Sequence, residues 1–354
     1  MNAVTVFSSA GKYDALVGSE LLDGIGKHIA RRREPSWCAV ISDENVALLF
    51  ADRVRQSLAS SGFAPSLITI PPGEKSKSLE QAGAICDQLV ASGFDRSSFI
   101  VALGGGVVGD LGGFVAAIFH RGIPWINVPT TLLAQVDSCI GGKTGVNTSV
   151  GKNLIGAMHH PALVIADIDT LATLPPREFN QGFAEIIKHA IIRDGGLFET
   201  LRSFERPDLE TLVRRNIEIK AEFVAADERD ATGERALLNF GHTVGHAIEF
   251  AGGYRDLLHG EAVSLGIVAA SEISMKKAGL PKNQRDAIVD LLRAFDLPTK
   301  LPARFPRQKI MKALPLDKKF EGGRVRFVVT PAIGSARLAT DVTMDDIREA
   351  VDEL

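Results

Sequence analysis

Short apolar runs rich in β-branched residues alternate with segments of helical period in the first half of this chain, and this alternation strongly constrains its fold. The apolar runs lie at residues 37–41, 66–70, 99–103, 125–128 and 163–166. Helical segments lie between several of them, at residues 45–60 and 79–92. Strands that alternate with helices form a parallel sheet covered on both faces. We therefore expect an α/β domain with a Rossmann-like parallel sheet.

The second half has a different pattern, which begins after the double proline at residues 175–176, since proline stops regular structure. Segments of helical length and period lie at residues 185–192, 209–226, 243–250, 262–278 and 284–295. Residues 324–339 are an exception and predict a small hairpin. A chain of 354 residues exceeds the size at which a single core usually stops growing. We therefore expect two domains, an α/β domain at residues 1–174 and a mainly α-helical domain at residues 175–354.

Charge, cysteine content and hydropathy exclude several classes of function. The 40 Lys and Arg residues against 43 Asp and Glu residues give a net charge of -3, so no global basic field exists to hold a nucleic acid. Three cysteines cannot build a disulfide framework. The N-terminus lacks the features of a signal peptide, and every apolar run falls short of the roughly 18 residues of a membrane span. We therefore expect a cytoplasmic protein without nucleic-acid or membrane partners.

A glycine-rich turn follows the third predicted strand. Gly104, Gly106 and Gly109 satisfy the pattern G-x-G-x-x-G, whose backbone amides can hold a pyrophosphate at a helix N-terminus. The next strand ends at Thr130 and Thr131, without the ribose-binding acid that usually follows about 20 residues on. The turn is therefore not an ordinary Rossmann fingerprint, and tight packing of a helix on a strand is the alternative explanation.

A dense polar segment comes next, at residues 137–144, and a second one at residues 151–153. The first is not a P-loop, because Asp137 stands where such a loop requires its first glycine. Lys143 and Lys152 near turns suit an anionic substrate. Exposed loop lysines without a ligand are the alternative.

Three of the eight histidines fall within 18 residues of each other. His242 and His246 are four residues apart and share one helix face, and His259 follows. A catalytic zinc takes three protein ligands and keeps one position open. This spacing favours a metal site over packed or surface histidines, but it does not choose between His242 and His246 and names no carboxylate. Glu185 and Lys188, three apart on a predicted helix, would by themselves be a surface ion pair.

Taken in order, these segments resemble the 3-dehydroquinate synthase family. The matching pieces are residues 104–111, 128–134, 136–143, 151–156, 184–188, 238–246, 259–261 and 317–319. The ordered set at these spacings is highly specific and extends over most of the chain. The resemblance implies an NAD-binding α/β domain followed by a helical metal- and substrate-binding domain.

The resemblance also implies site residues, position by position. Zn²⁺, or Co²⁺ in its place, would be held by Glu185, His242 and His259. The NAD⁺-binding positions fall on Asp43, Glu74, Lys77, Gly104, Gly105, Gly106, Val107, Asp110, Thr130, Thr131, Asp137, Lys143, Lys152, Thr173 and Glu178. The substrate positions fall on Asp137, Lys143, Lys152, Lys188, Lys220, Arg235, Asn239, His246 and Lys318. Arg121 matches an arginine that the family donates across a dimer interface, which implies a homodimer.

The implied activity is that of a phosphate-eliminating lyase in the second step of the shikimate pathway, which leads to chorismate and the aromatic amino acids. Such an enzyme converts 3-deoxy-D-arabino-heptulosonate 7-phosphate to 3-dehydroquinate and phosphate by transient NAD-dependent oxidation, β-elimination, re-reduction and intramolecular aldol closure. A small sugar phosphate that also carries a carboxylate would explain why lysines cluster in a slightly acidic chain.

Three alternatives remain. Another NAD- and metal-dependent sugar phosphate cyclase would share most of these residues, whereas a metal-dependent polyol dehydrogenase would have no use for so many lysines. A catalytically inactive NAD-binding scaffold would be expected to lose its metal ligands first.

Two positions depart from the family pattern. Cys139 stands where the family usually has serine, and we expect a buried thiol without a metal role. The segment between Glu228 and Arg235 is one residue longer than the pattern, with Asp230 near the place of a family glutamate.

Overall fold

A computed structural model describes residues 2–149, 151–203, 208–253, 256–314, 320–321 and 324–354. It divides into two compact units. The first comprises Met1–Leu174 and Leu209–Ala225, and the second comprises Pro175–Asp208 and Ala226–Leu354. Within the described ranges, no helix has the length and apolar character needed to span a membrane.

Among its described residues, the first unit has nine strands: β1 (Asn2–Ser8), β2 (Gly11–Gly18), β3 (Trp37–Asp43), β4 (Ala64–Ile70), β5 (Phe99–Gly104), β6 (Trp125–Pro129), β7 (Lys143–Thr148), β8 (Gly151–Met158) and β9 (Leu163–Asp167). Seven of them form one sheet in the order β1-β2-β9-β6-β5-β3-β4. Neighbouring strands of this sheet are parallel, except for the antiparallel pair β1–β2. β7 and β8 form a separate antiparallel hairpin.

Helices cover this sheet on both faces. They are α1 (Ile25–Ala30), α2 (Glu44–Val46), α3 (Asp52–Ser60), α4 (Leu79–Ala91) and α5 (Gly106–Ile118), and a π-helical turn, Ala47–Ala51, joins α2 to α3. Alternate residues of β3 enter different apolar clusters, because successive side chains of a strand point to opposite faces. Ala39 and Ile41 pack with α4 and α5, whereas Cys38 and Val40 pack with α1 and α3.

The second unit is mainly helical. Its helices are α6 (Pro176–Asn180), α7 (Gly182–Ile192), α8 (Gly195–Arg202), α10 (His242–Ala251), α11 (His259–Ala278), α12 (Lys282–Ala294), α13 (Arg307–Ala313) and α14 (Met344–Asp352). α9 (Leu209–Ala226) belongs to the first unit except for its last residue. The buried helix α11 lies at the centre of the second unit, where it contacts α7, α10, α12 and α14.

In the part of the second unit that the structure describes, four short strands accompany the helices. They are β10 (Phe320–Glu321), β11 (Arg324–Val325), β12 (Phe327–Ala332) and β13 (Ser335–Ala339). β12 and β13 pair antiparallel, which confirms the hairpin predicted near the C-terminus. The predicted α/β class of the first half, its five predicted strands and the helical character of the second half are also confirmed. Four of these strands are buried as predicted, but β4 is not, because it lies at the edge of the sheet and most of its residues are exposed or half-buried.

Candidate functional site

Three potential metal ligands come together in the second unit, where their ligand atoms lie within 4.8 Å of one another. Glu185 stands on α7, and His242 and His259 are the first residues of α10 and α11. The Oε1 atom of Glu185 lies 3.2 Å from Nε2 of His242 and 3.6 Å from Nε2 of His259. Two imidazoles and one carboxylate form a donor set that zinc uses in catalytic sites.

Glycines allow α10 and α11 to approach closely enough to bring these histidines together. Gly241 precedes α10 with a left-handed φ of +79°, a conformation that favours glycine. A Cβ atom on Gly266 of α11 would lie 1.9 Å from the carbonyl oxygen of Gly241. The backbones of the two helices therefore cross at a distance that leaves no space for a side chain at residue 266.

The outer nitrogens of both imidazoles are held by oxygen acceptors. Nδ1 of His242 lies 3.2 Å from the carbonyl oxygen of Phe240, and Nδ1 of His259 lies 3.1 Å from Oε2 of Glu249. An imidazole that donates its Nδ1–H to an oxygen keeps its Nε2 lone pair for a metal. The outer contacts therefore turn the ligand nitrogen of both rings toward Glu185.

Glu185 supplies the test of whether these residues fit a cation. Its side chain is fully buried, and neither carboxylate oxygen accepts a well-formed hydrogen bond from any described residue. Burial opposes its charged form, but Lys188 and His242 outweigh this effect and hold the pKa of Glu185 well below its usual range. An ionised buried carboxylate with two imidazole nitrogens beside it is the arrangement that a divalent cation completes. The residues present fit Zn²⁺.

The pKa values of the two histidines are shifted in opposite directions. Burial lowers the pKa of His242 against the attraction of Glu185. Burial also opposes a charge on His259, but Glu249 and Glu185 outweigh it and raise the pKa of His259 to about 10. A proton and a divalent cation therefore compete for this imidazole.

Two of the predicted substrate residues border the three ligands. Lys188 is 1% exposed and its ammonium group contacts Oε2 of Glu185. His246 is exposed one turn after His242, with 5.2 Å between the centres of the two rings. Nε2 of His242 approaches Glu185, whereas His246 forms a second possible metal group with Glu249 and His259.

The other predicted residues of the second unit are distributed around α6 and the segment before α10. Arg235 and Asn239 begin and end the 3₁₀ segment Arg235–Asn239, which leads into α10. Arg235 is buried, and its guanidinium donates to the carbonyl oxygen of Glu228 over 2.5 Å. Glu178 lies on α6 and accepts a hydrogen bond from Gln181. Lys318 lies outside the described residues.

In the first unit, several predicted NAD⁺ positions meet at the carboxyl ends of neighbouring strands. Asp43 ends β3 and caps α2, and Gly104 ends β5. The segment Glu74–Ser76 with Lys77 follows β4, and Thr130 with Thr131 follows β6. β6, β5, β3 and β4 are consecutive in the sheet, so these residues lie along one edge. Open parallel sheets bind their ligands beyond this edge.

The glycine turn fits a dinucleotide phosphate. α5 begins at Gly106 with Val107 in its first turn, and no described side chain caps it, so its first N–H groups can bind an anion. A Cβ atom on Gly105 would lie only 3.1 Å from the Thr131 side chain. Because glycine has no Cβ atom, the backbone at this position stays accessible. The hydroxyl of Thr130 is buried, with no hydrogen-bond partner in the part of the chain that the structure describes. The first turn of α5 and the Thr130 hydroxyl are therefore candidates for contacts with a ligand.

Charged residues surround the same edge. The ammonium group of Lys77 contacts Asp110 on α5, and Nζ of Lys152 lies 3.8 Å from Oε1 of Glu74. Burial raises the pKa of Asp110, and Lys77 only partly offsets this effect. Both acids and both lysines were predicted as cofactor contacts, and the structure brings them together in two pairs.

Lys220 and Asp137 form a further pair within the first unit. Lys220 stands on α9 and is 7% exposed, and its Nζ lies 2.8 Å from Oδ1 of Asp137. The same nitrogen donates to the carbonyl oxygen of Asp137 over 2.5 Å. This buried cation is thus held by one carboxylate and one carbonyl.

Three predicted residues lie on the surface of the first unit. Lys143 is the exposed first residue of β7, and exposed Thr173 ends a 3₁₀ segment and donates to the Thr170 carbonyl. Arg121 is exposed in a turn where His120, Arg121 and Gly122 all have positive φ, a strained conformation for the two non-glycine residues.

Cys139 is buried, as predicted. It is 2% exposed, and burial raises the pKa of its thiol to about 12.

Sequence reasoning missed three residues that support these groups. Nδ1 of His259 lies beside Oε2 of Glu249, and Asn147 donates to Glu74. Asp227 accepts backbone N–H groups from Ala231, Gly233 and Arg235. Glu249 follows His242 by seven residues on the same helix, and this spacing, which places both on one face, is the signal that could have identified it.

Comparisons with family models and with known proteins indicate the same family. Family models described as 3-dehydroquinate synthase N-terminal and C-terminal match residues 67–181 and 182–320. A 3-dehydroquinate synthase of Pelobacter propionicus is 46% identical over 341 residues, which cover 94% of each chain.

Two solved structures are also similar. A 2-epi-5-epi-valiolone synthase of Streptomyces hygroscopicus with NAD⁺ and Zn²⁺ bound has a TM-score of 0.88 at 28% identity and covers 100% of this chain and 98% of its own. A 2-deoxy-scyllo-inosose synthase in complex with carbaglucose-6-phosphate, NAD⁺ and Co²⁺ has a TM-score of 0.90 at 25% identity, with 99% of this chain and 100% of the other covered.

Proposed function

Since this chain belongs to the 3-dehydroquinate synthase family, we propose that its metal centre and its carboxyl-edge residues serve the reaction of that family. The enzyme converts 3-deoxy-D-arabino-heptulosonate 7-phosphate to 3-dehydroquinate and inorganic phosphate. The observation that carries the proposed site is the buried Glu185 carboxylate with Nε2 of His242 and His259 beside it.

Each unit holds one of the two reactive groups in this proposal. When bound, NAD⁺ supplies a reversible hydride acceptor and Zn²⁺ supplies a Lewis acid, and the net reaction involves no redox change. Glu185, His242 and His259 hold the Zn²⁺. NAD⁺ is held by the first turn of α5 and by the predicted side chains of the carboxyl edge, with Thr173 and Glu178 as further contacts.

Cationic side chains bind the carboxylate and phosphate of the substrate by charge-assisted hydrogen bonds. Lys188, Lys220 and Arg235 are buried, and a buried cation is costly unless it is paired. Lys188 has Glu185 and Lys220 has Asp137 as partners, so each is fixed in position before an anion arrives. Lys143, Lys152, Asn239, His246 and Lys318 complete the proposed substrate set.

We further propose that residues 1–174 are the cofactor domain and residues 175–354 the metal and substrate domain. The enzyme is a homodimer in this proposal, and the exposed, strained Arg121 beside the 44% exposed Ile118 supports an interface there. We place it in the cytoplasm, where thiols stay reduced, since each of its three cysteines is a free thiol.

The first experiment measures phosphate release from 3-deoxy-D-arabino-heptulosonate 7-phosphate with catalytic NAD⁺ and Zn²⁺. We expect one phosphate and one 3-dehydroquinate for each substrate consumed, without accumulation of NADH. Absence of phosphate release from a protein that binds both cofactors would indicate another sugar phosphate cyclase, and steady NADH formation with a polyol would indicate a dehydrogenase.

The metal ligands are tested separately. His259→Ala removes one of three ligands, so bound zinc and turnover are expected to be lost while the far-UV circular dichroism spectrum is kept. Full zinc content and full activity in this variant would contradict the ligand assignment.

A further inference from the structure

An irregularity in the β7–β8 hairpin lies next to the charged residues of the carboxyl edge. Val146 pairs with Ile155 and Thr148 pairs with Gly151, so Asn147 alone faces residues 152–154. This is a β-bulge, a feature that is common beside active sites because it turns a side chain away from its regular direction. The bulge contains Lys152, and Asn153 within it has a left-handed φ of +56°.

Asn147 bridges this bulge with both ends of its amide group. Its Oδ1 accepts a hydrogen bond from the backbone N–H of Asn153 over 3.0 Å, which replaces a bond of the interrupted ladder. Its Nδ2 donates to Oε1 of Glu74 over 2.8 Å. Its backbone N–H donates to the carbonyl oxygen of Lys77 over 2.8 Å. One residue therefore links the hairpin to the segment after β4.

The ion pair at this place does not fix the geometry by itself. Nζ of Lys152 lies 3.8 Å from Oε1 of Glu74, and their side chains are 25% and 34% exposed. Partly exposed ion pairs contribute little because solvent screens them and long side chains lose entropy. The hydrogen bond from Asn147 to the same Glu74 oxygen is shorter and directional.

We propose that Asn147 is a positioning residue, which holds Glu74 and the Lys152–Asn153 backbone in the arrangement that binds cofactor and substrate. The inference rests on the proposed function, because it takes Glu74 and Lys152 to be ligand contacts. An amide suits this role since it donates and accepts at once, whereas a carboxylate only accepts.

The test uses Asn147→Asp and Asn147→Ala, with Asn283→Ala as the matched control, because Asn283 is an exposed residue of α12. Asn147→Asp keeps an acceptor for Asn153 but places a second negative charge against Glu74. We expect the dissociation constant of NAD⁺, measured by calorimetry, to rise about 10-fold or more, and the KM of the substrate to rise with it. Zinc content is expected to stay at the wild-type level in all three variants.

A polarity swap makes the test specific for the hydrogen bond. In Glu74→Gln combined with Asn147→Asp, the donor and the acceptor exchange places. If Asn147 acts through Glu74, the double variant binds NAD⁺ more tightly than the sum of the two single losses predicts. Strictly additive losses would contradict the inference.

Binding and turnover separate this inference from the proposed function. A wild-type protein that neither binds NAD⁺ nor releases phosphate contradicts the proposed function. A wild-type protein that does both, with an Asn147→Asp variant that binds NAD⁺ equally well and has an unchanged KM, contradicts only the role of Asn147. If Asn147→Asp does not fold, Asn147→Ala gives the same comparison.

Discussion

At the residue scale, Asp227 organises the loop that leads to Arg235. Its buried carboxylate accepts backbone N–H groups from Ala231 over 2.7 Å, from Gly233 over 2.9 Å and from Arg235 over 3.3 Å. Burial opposes the charge, but these N–H groups outweigh it and lower the pKa of Asp227 far below its usual range. This loop contains the segment that we expect from sequence to be one residue longer than the family pattern, and the Asp227 carboxylate fixes its backbone.

The lowered pKa of Asp227 predicts a pH-dependent contribution to stability. The contribution is complete above the unfolded-state pKa of about 3.9 and is lost as the pH falls through that value toward the lower folded-state pKa. Asp227→Asn is therefore expected to lower the free energy of unfolding by about 1–2 kcal/mol at pH 7, with a smaller difference at pH 3. Urea unfolding at both pH values measures the difference in the free energy of unfolding, with Asp87→Asn at an exposed position as the control. A loss of stability that is equal at pH 7 and pH 3 would contradict the prediction.

The metal ligands show how far single residues can be predicted from sequence. Spacing placed His242 and His246 on one helix face, but the choice between them depends on where α7 places Glu185. The role of Asn147 was missed for the same reason, since its partner Glu74 lies 73 residues away in the sequence. Residue types and helical spacing identify candidates, and packing between distant segments selects among them.

At the scale of elements, the crossing of α10 and α11 positions the proposed metal ligands. In the variant Gly266→Ala, the added Cβ atom would lie 1.9 Å from the carbonyl oxygen of Gly241, so the two helices must separate. Their first residues are His242 and His259, and we therefore expect lower zinc affinity together with a loss of about 1–3 kcal/mol in the free energy of unfolding.

Gly83→Ala on α4 is the matched control for Gly266→Ala. A Cβ atom there meets open space, so this variant is expected to gain up to about 1 kcal/mol from helix propensity and to keep its zinc. Urea unfolding measures the stability of both variants, and metal analysis measures their zinc content. A Gly266→Ala protein with wild-type stability and full zinc content would show that the close crossing is not required.

Elements differed in how well their sequence pattern revealed them. The buried parallel strands β3, β5, β6 and β9 are continuous apolar runs and were predicted. The hairpin β7–β8 was not predicted, because all eight residues of β8 are exposed or half-buried and glycines interrupt the strand, so it has no apolar run. α11 begins at His259, three residues before its predicted start, since the apolar periodicity begins only inside the helix.

At the scale of the whole molecule, the proposed homodimer assigns Arg121 to the site of its partner. In a dimer that contains one Arg121→Ala subunit and one His259→Ala subunit, both substitutions would then fall in the same site. One site would lack both groups, and the other would combine intact metal ligands with an intact arginine. Each variant alone is expected to be almost inactive, and complementation between them requires that the arginine acts across the interface.

The two variants can be co-expressed with different affinity tags, and the mixed dimer purified through both tags. Because one of its two sites is complete, we expect the mixed dimer to release phosphate at about half the wild-type rate. An unpurified mixture made by random subunit exchange between equal amounts of the two variants is expected to reach about a quarter of the wild-type rate, since only half of its dimers are mixed. Light scattering establishes that the purified species is a dimer. If Arg121 served its own subunit, each site of the mixed dimer would carry one of the two substitutions, and activity would stay at the level of the separate variants. A monomer in solution would contradict the homodimer itself.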